Sequence, residues 1–89
     1  MRRYRYRNVR FARELDLQAA KTKVSLAYRE NLEVKDYLKS ALVSLNGYIR
    51  ENPDSVGASK AYARINEALV EIQKIMVALT HAASAIKNA

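Results

Sequence analysis

The chain has 89 residues, no cysteine, two glycines and one proline, with 49% hydrophobic residues and a formal net charge of +7. This length allows one small domain, and so few turn-forming residues argue against an all-β fold. The lack of cysteine excludes disulfides, thiolate metal sites and a catalytic thiol.

The first thirteen residues hold most of the positive charge. They contain six arginines and no acidic residue, whereas the rest of the chain is close to neutral. Within residues 1–10 arginine alternates with tyrosine, and in an extended chain this alternation separates guanidiniums and phenol rings onto opposite faces. We therefore predict an extended basic arm over residues 1–10.

Arginine side chains form bidentate hydrogen bonds with phosphates, and tyrosine rings stack on bases, so the arm is predicted to bind nucleic acid. The predicted binding residues are Arg2, Arg3, Tyr4, Arg5, Tyr6, Arg7, Arg10 and Arg13. Docking of the arm on an acidic protein surface, a neighbouring subunit or anionic lipid is an alternative, and so is a solvated tail.

A first helix is predicted over residues 11–51. Mostly hydrophobic and small residues recur there at alternating spacings of four and three, which indicates lengthwise packing on another helix. This first seam consists of Leu17, Ala20, Val24, Ala27, Asn31, Val34, Leu38, Ala41, Leu45 and Tyr48. Asn31 is either a buried amide that fixes register or subunit number, or an amide near solvent. Gly47 is expected to lie inside a continuous helix.

A turn is predicted over residues 52–58. Pro53 lacks a backbone N–H and disfavours helical angles at Asn52, so the first helix should stop there. Asp54 or Ser55 is the predicted N-cap of the next helix.

A second helix is predicted over residues 59–87. Its seam begins just before it and meets no charge, running through Ala58, Tyr62, Ile65, Leu69, Ile72, Met76, Leu79, Ala83 and Ile86. Apolar or small residues cover roughly three quarters of this helix, so it should have more than one neighbour. The predicted oligomer interface is Tyr62, Ile65, Leu69, Ile72, Ile75, Met76, Val77, Leu79, Ala82, Ala83, Ile86 and Asn31.

No transmembrane segment and no secretory signal are expected. The longest stretch without charge, residues 75–86, is short for a bilayer, and Arg13, Glu14 and Asp16 interrupt any apolar signal region. The compartment is therefore undetermined, with a virion or cytoplasmic assembly favoured.

Little in the sequence points to catalysis. His81 is the only histidine, and its neighbours at helical spacing offer no second metal ligand. The acidic residues Glu30, Glu33 and Asp36 sit among lysines and arginines, as on a salt-bridged face. We expect no enzyme activity, metal, cofactor or small-molecule substrate.

These features predict an all-α fold, a long antiparallel helical hairpin with a basic N-terminal arm that self-associates. The favoured function is a structural assembly subunit of the coat, filament or nucleoprotein type. It would homo-oligomerise through its helices, with the arm binding nucleic acid or a neighbouring subunit.

Two alternatives are a secretion-apparatus part and a small dimeric regulator or inhibitor built as a four-helix bundle. From about residue 38 onward, two helices joined by Asn52-Pro53 and an apolar C-terminal helix resemble type III secretion needle subunits in outline. The resemblance implies a filament subunit or its small helical chaperone. The arginine-rich start departs from that pattern.

Overall fold

The computed structural model describes the backbone of residues 2–89 and the side chains of residues 14–89. Two helices make up this part of the chain, α1 (Arg2–Glu51) and α2 (Val56–Lys87). They pack along each other as an antiparallel hairpin 75 Å long and 15 Å across. The predicted all-α helical hairpin is confirmed.

The first helix starts earlier than the sequence analysis placed it. Its backbone is helical from Arg2, so residues 2–10 continue α1 and do not form the expected extended arm. Arginine is a good helix former, and the chain has no proline or glycine before Gly47 to interrupt the helix. This helix propensity outweighs the extended conformation that the alternation of arginine and tyrosine indicated.

The turn between the helices follows the predicted chemistry. At the end of α1, the backbone N–H and the side-chain amide of Asn52 both donate to the carbonyl oxygen of Tyr48, at 2.9 and 3.1 Å. Ser55 is the N-cap of α2, and its hydroxyl oxygen accepts from the backbone N–H of Ala58 at 3.3 Å. The turn is shorter than predicted, because α2 begins at Val56.

The second seam packs against α1. All nine of its members are buried or half-buried, and Ala58, Ile72 and Met76 are the buried hydrophobic residues of the described chain. On α1 six of the ten residues of the first seam are covered. The other four are exposed: Leu17, Ala20, Val34 and Tyr48. The half-buried residues of α1 are Val24, Ala27, Asn31, Lys35, Leu38, Ala41, Leu42, Leu45 and Ile49.

The hairpin arms are unequal, so α1 continues beyond the end of α2. A shallow groove near the free end is lined by Glu14, Leu17 and Lys21 from α1 and by Ile86 and Lys87 from α2. Residues 2–13 therefore extend past α2 for about 18 Å at 1.5 Å per residue. We call residues 2–13 the overhang; it coincides with the arginine-rich segment.

Candidate self-association and anion-binding surfaces

The hairpin leaves much of its hydrophobic surface in contact with solvent. Thirteen large hydrophobic side chains between residues 14 and 89 are exposed, from Leu17 at 37% to Tyr37 at 76%. Two straight helices can cover only one stripe of each other, and both helices carry apolar residues outside that stripe. The exposed residues are Leu15, Leu17, Leu26, Tyr28, Leu32, Val34, Tyr37, Val43, Tyr48, Val56, Val70, Ile75 and Val77.

The predicted oligomer interface divides into buried, half-buried and exposed residues in the structure. Ile72 and Met76 are buried inside the hairpin, whereas Ile75 and Val77 on either side of Met76 are 45% and 47% exposed. The half-buried group consists of Asn31, Tyr62, Ile65, Leu69, Leu79, Ala82, Ala83 and Ile86. Much of that predicted set thus serves the contact within the chain, and self-association stays a prediction.

Asn31 lies half-buried on the side of α1 that faces α2. Its side-chain amide donates to the carbonyl oxygen of Ala27 at 2.7 Å, so this polar group is satisfied within its own helix. Among the side chains from residue 14 onward, no polar atom is both buried and without a hydrogen-bond partner. Asn31 is therefore accommodated without a cross-helix hydrogen bond.

The predicted nucleic-acid-binding residues all fall on the overhang. Arg2, Arg3, Tyr4, Arg5, Tyr6, Arg7, Arg10 and Arg13 belong to α1 by their backbone, and their side chains lie outside the described residues. The overhang joins six arginines with no acidic residue. Such a concentration of charge on one end is the electrostatic pattern expected for binding a polyanion.

Ion pairs on the described surface are few and exposed. Arg64 pairs with Glu67 at 3.1 Å and Lys74 with Glu71 at 3.5 Å, each within α2, and all four side chains are at least 65% exposed. Pairs of this kind contribute well under 1 kcal/mol each, about 0.3–0.5 kcal/mol in helices. They hold neither the fold nor the surfaces in place.

No acidic, histidine or cysteine side chains within residues 14–89 cluster in a group of three that could hold a metal ion. The grooves in the same region are shallow and lie along the helix surfaces. The expected lack of enzyme activity and cofactor stays a prediction.

By length and composition α2 is apolar enough to cross a membrane, and only 6% of its most apolar stretch is buried. The sequence-based expectation of no transmembrane segment is therefore not confirmed. Any eighteen consecutive residues of α2 include Glu71, which would have to enter the bilayer. In a span over residues 69–86 Glu71 would be the third residue, near the bilayer surface, where a charge costs less than at the centre.

These features define the chain as an all-α helical hairpin with open hydrophobic sides and a basic overhang. No known protein family, curated protein or solved structure matches it.

Proposed function

We propose that this protein is a non-enzymatic structural assembly subunit that homo-oligomerises through its helical hairpin and binds nucleic acid through its overhang. The observation that carries the proposal is the uncovered hydrophobic surface of the hairpin. A compact folded monomer of 10.1 kDa exposes about 5,300 Å² by the size scaling of folded proteins. This hairpin exposes 7609 Å².

The excess, about 2,300 Å² per chain, reflects the elongated shape of the hairpin, whose sides expose both polar and hydrophobic residues. Thirteen exposed large hydrophobic residues on a two-helix unit would also make a lone hairpin aggregation-prone in water. Further copies of the hairpin would cover these sides, as helices do in a bundle. Homo-oligomerisation therefore explains why so apolar a surface accompanies so small a core.

The overhang supports the second half of the proposal. The overhang lies beyond the end of α2, so its arginines are not part of the contact between the two helices. Six phosphate contacts would give a slope of about −4 to −5 for log affinity against log salt concentration. The proposed mechanism is charge neutralisation of a polyanion along an array of assembled subunits.

Light scattering and negative-stain imaging at two salt concentrations test self-association directly. We expect an assembly larger than a monomer at micromolar concentrations. When dilution reduces it to a smaller oligomer, the helix content should change little. A stable monomer at high concentration would refute the assembly role. If the protein instead floats with neutral vesicles and is monomeric without them, α2 serves as a membrane anchor.

Nucleic-acid binding is tested by titrating a labelled oligonucleotide at several salt concentrations. In the test variant all six overhang arginines become glutamine, which keeps helix propensity and removes six charges. We expect binding to fall at least 100-fold and the salt slope to approach zero. The charge-matched control replaces six exposed basic residues of the hairpin body with glutamine, at Lys21, Lys23, Arg29, Lys39, Lys60 and Lys87. Equal losses in both variants would contradict a dedicated binding segment.

A further inference from the structure

A second 4-3 pattern runs along α2 on the flank next to the second seam. Its eight positions are all exposed and none carries a charge. Each of them follows a second-seam residue by one position, so by helical periodicity they occupy one stripe about 100° away from the buried line of Ile72 and Met76. We call these residues the outer row: Ser59, Ala63, Asn66, Val70, Gln73, Val77, Thr80 and Ser84.

The outer row has the composition of a close helix contact. Its apolar centre is Val70 and Val77, 55% and 47% exposed, which line one shallow groove together with Gln73 and Lys74. Small or neutral residues at the other positions would let a second helix approach closely without burying a charge. A merely solvated face of a 32-residue helix would be expected to carry charged residues.

The two edges of the outer row differ. One edge borders the second seam, so a helix packed on the outer row would extend the existing α1–α2 packing. The other edge carries Lys60, Glu67, Lys74 and His81, seven residues apart. These flanking charges correspond to the positions that set helix orientation in coiled coils.

We propose that two copies of this chain pack antiparallel through the outer row, with Val70 of one copy opposite Gln73 of the other. The inference rests on the self-association in the proposed function and names the surface and orientation. In this register Ser59 of each copy lies opposite Ser84 of the other. The contact is two-fold symmetric and buries a neutral stripe against itself, which a charged stripe would resist.

Charge complementarity favours the antiparallel orientation. At the register above, Glu67 of each copy lies beside Lys74 of the other copy, giving two attractive pairs per dimer. In a parallel pair the charged edges of the two helices would lie on opposite sides of the contact, so these attractive pairs would not form. The alternation of sign along this edge therefore discriminates between the two orientations.

The overhangs favour the same orientation. In a parallel dimer two segments of charge +6 would lie side by side, whereas the antiparallel dimer places them at opposite ends, at least about 45 Å apart at 1.5 Å per residue. That separation is several times the screening length of about 8 Å at physiological salt. Antiparallel packing thus removes the largest repulsion available to this chain.

Disulfide trapping tests the surface, because the natural chain has no cysteine to interfere. We expect a mixture of the Ser59→Cys and Ser84→Cys variants to form the mixed disulfide on oxidation, at least tenfold more than either variant alone. The matched control replaces Ser84→Cys with Ala85→Cys, whose exposed position lies about 100° away around α2. Efficient linking of either serine-site variant to itself would overturn the antiparallel orientation.

A charge swap provides an independent readout. Glu67→Lys or Lys74→Glu alone should weaken self-association at low salt about tenfold, since each turns two attractive pairs into two repulsive ones. The double swap restores opposite charges across the contact, so its dissociation constant should return to within about threefold of the natural one. Double and single variants that self-associate equally would overturn the proposed contact.

The two levels of the proposal fail differently. An oligomer that gives no mixed disulfide and ignores both charge reversals would overturn the outer-row contact and leave homo-oligomerisation standing. A chain that is monomeric at every concentration would overturn both.

Discussion

The side-chain amide of Asn31 donates a hydrogen bond of 2.7 Å to the carbonyl oxygen of Ala27, one turn earlier in α1. Ala27 is half-buried like Asn31, so a polar link lies on the side of α1 that faces the apolar second seam. Because the link closes within one helix, it ties neither helix to the other. Asn31 therefore interrupts the hydrophobic contact and does not fix it by a bond across the hairpin.

Asn31→Leu is expected to stabilise the hairpin. The change loses no cross-helix hydrogen bond and places apolar surface against α2, so we expect about 1 kcal/mol of added stability. Thermal unfolding followed by circular dichroism should show a melting temperature several degrees higher, and light scattering a broader range of oligomers. Thr22→Leu is the control, since Thr22 makes the same kind of bond to Gln18 on the exposed side of α1. A lower melting temperature with unchanged oligomers would contradict the prediction.

Met76→Ala is expected to be among the most damaging single truncations in the hairpin. Met76 is only 4% exposed, and removing a buried methionine side chain costs about 2–4 kcal/mol through lost burial and the cavity left behind. For a domain of this size the melting temperature should fall by 10 °C or more.

Val43→Ala is the matched control for Met76→Ala. Val43 is 74% exposed, so its truncation should change stability by less than about 0.5 kcal/mol. Similar losses in the two variants would mean that Val43 is covered in the assembled protein. Repeating the measurement at several protein concentrations distinguishes two explanations. If another copy covers Val43, the loss should depend on concentration; if Val43 is covered within the single chain, it should not.

The sequence was enough to predict the second seam because none of its positions is charged along the whole helix. Its nine members all face α1, from Ala58 to Ile86. The first seam was predicted less well, because four of its ten residues are exposed: Leu17, Ala20, Val34 and Tyr48. Lys35, Leu42 and Ile49, which were not assigned to the seam, are half-buried. Seven residues fall about 20° short of two full turns of a straight helix, so a strict 4-3 pattern drifts away from the face that contacts α2. At residue 35 the covered positions move one residue along the chain, from Val34 to Lys35.

The surfaces were harder to predict than the fold. A hydrophobic stripe in a sequence does not say which neighbour will cover it, and the residues expected between chains were largely used within one. The first helix was predicted to be the longer of the two, as it is, whereas the extended conformation expected of residues 2–10 was not found. Helix propensity in an arginine-rich segment outweighed a two-residue alternation that spans only a few positions.

Ser55→Ala is expected to destabilise α2 at its start. The Ser55 hydroxyl oxygen accepts from the N–H of Ala58, one of the N–H groups that lack a partner within the helix. Loss of such a cap costs about 1 kcal/mol, which chemical denaturation can measure. Ser40→Ala, at an exposed position in the middle of α1, should have no cost because alanine has the higher helix propensity. An equal response of both variants would exclude a capping role.

Gly47→Ala is expected to stabilise the protein while leaving the hairpin unchanged. Gly47 lies inside α1 with no positive backbone φ, and a methyl group built there would meet nothing within 4 Å. Alanine loses less conformational entropy than glycine on entering a helix, so we expect a gain of about 0.5–1 kcal/mol. Circular dichroism should show a melting temperature a few degrees higher with the same helix content.

Gly57→Ala makes that test sharper. A methyl group at Gly57 also meets open space. However, Gly57 lies in the first turn of α2, beside the Ser55 cap, where fewer helical hydrogen bonds hold the backbone than in the middle of a helix. We expect a smaller gain there than at Gly47. If Gly47→Ala destabilises the protein instead, this part of α1 must be closely packed against another copy in the assembly, since the single chain leaves the position open. Comparing the melting temperature at low and high protein concentration then distinguishes a clash between copies from a fault in the helix.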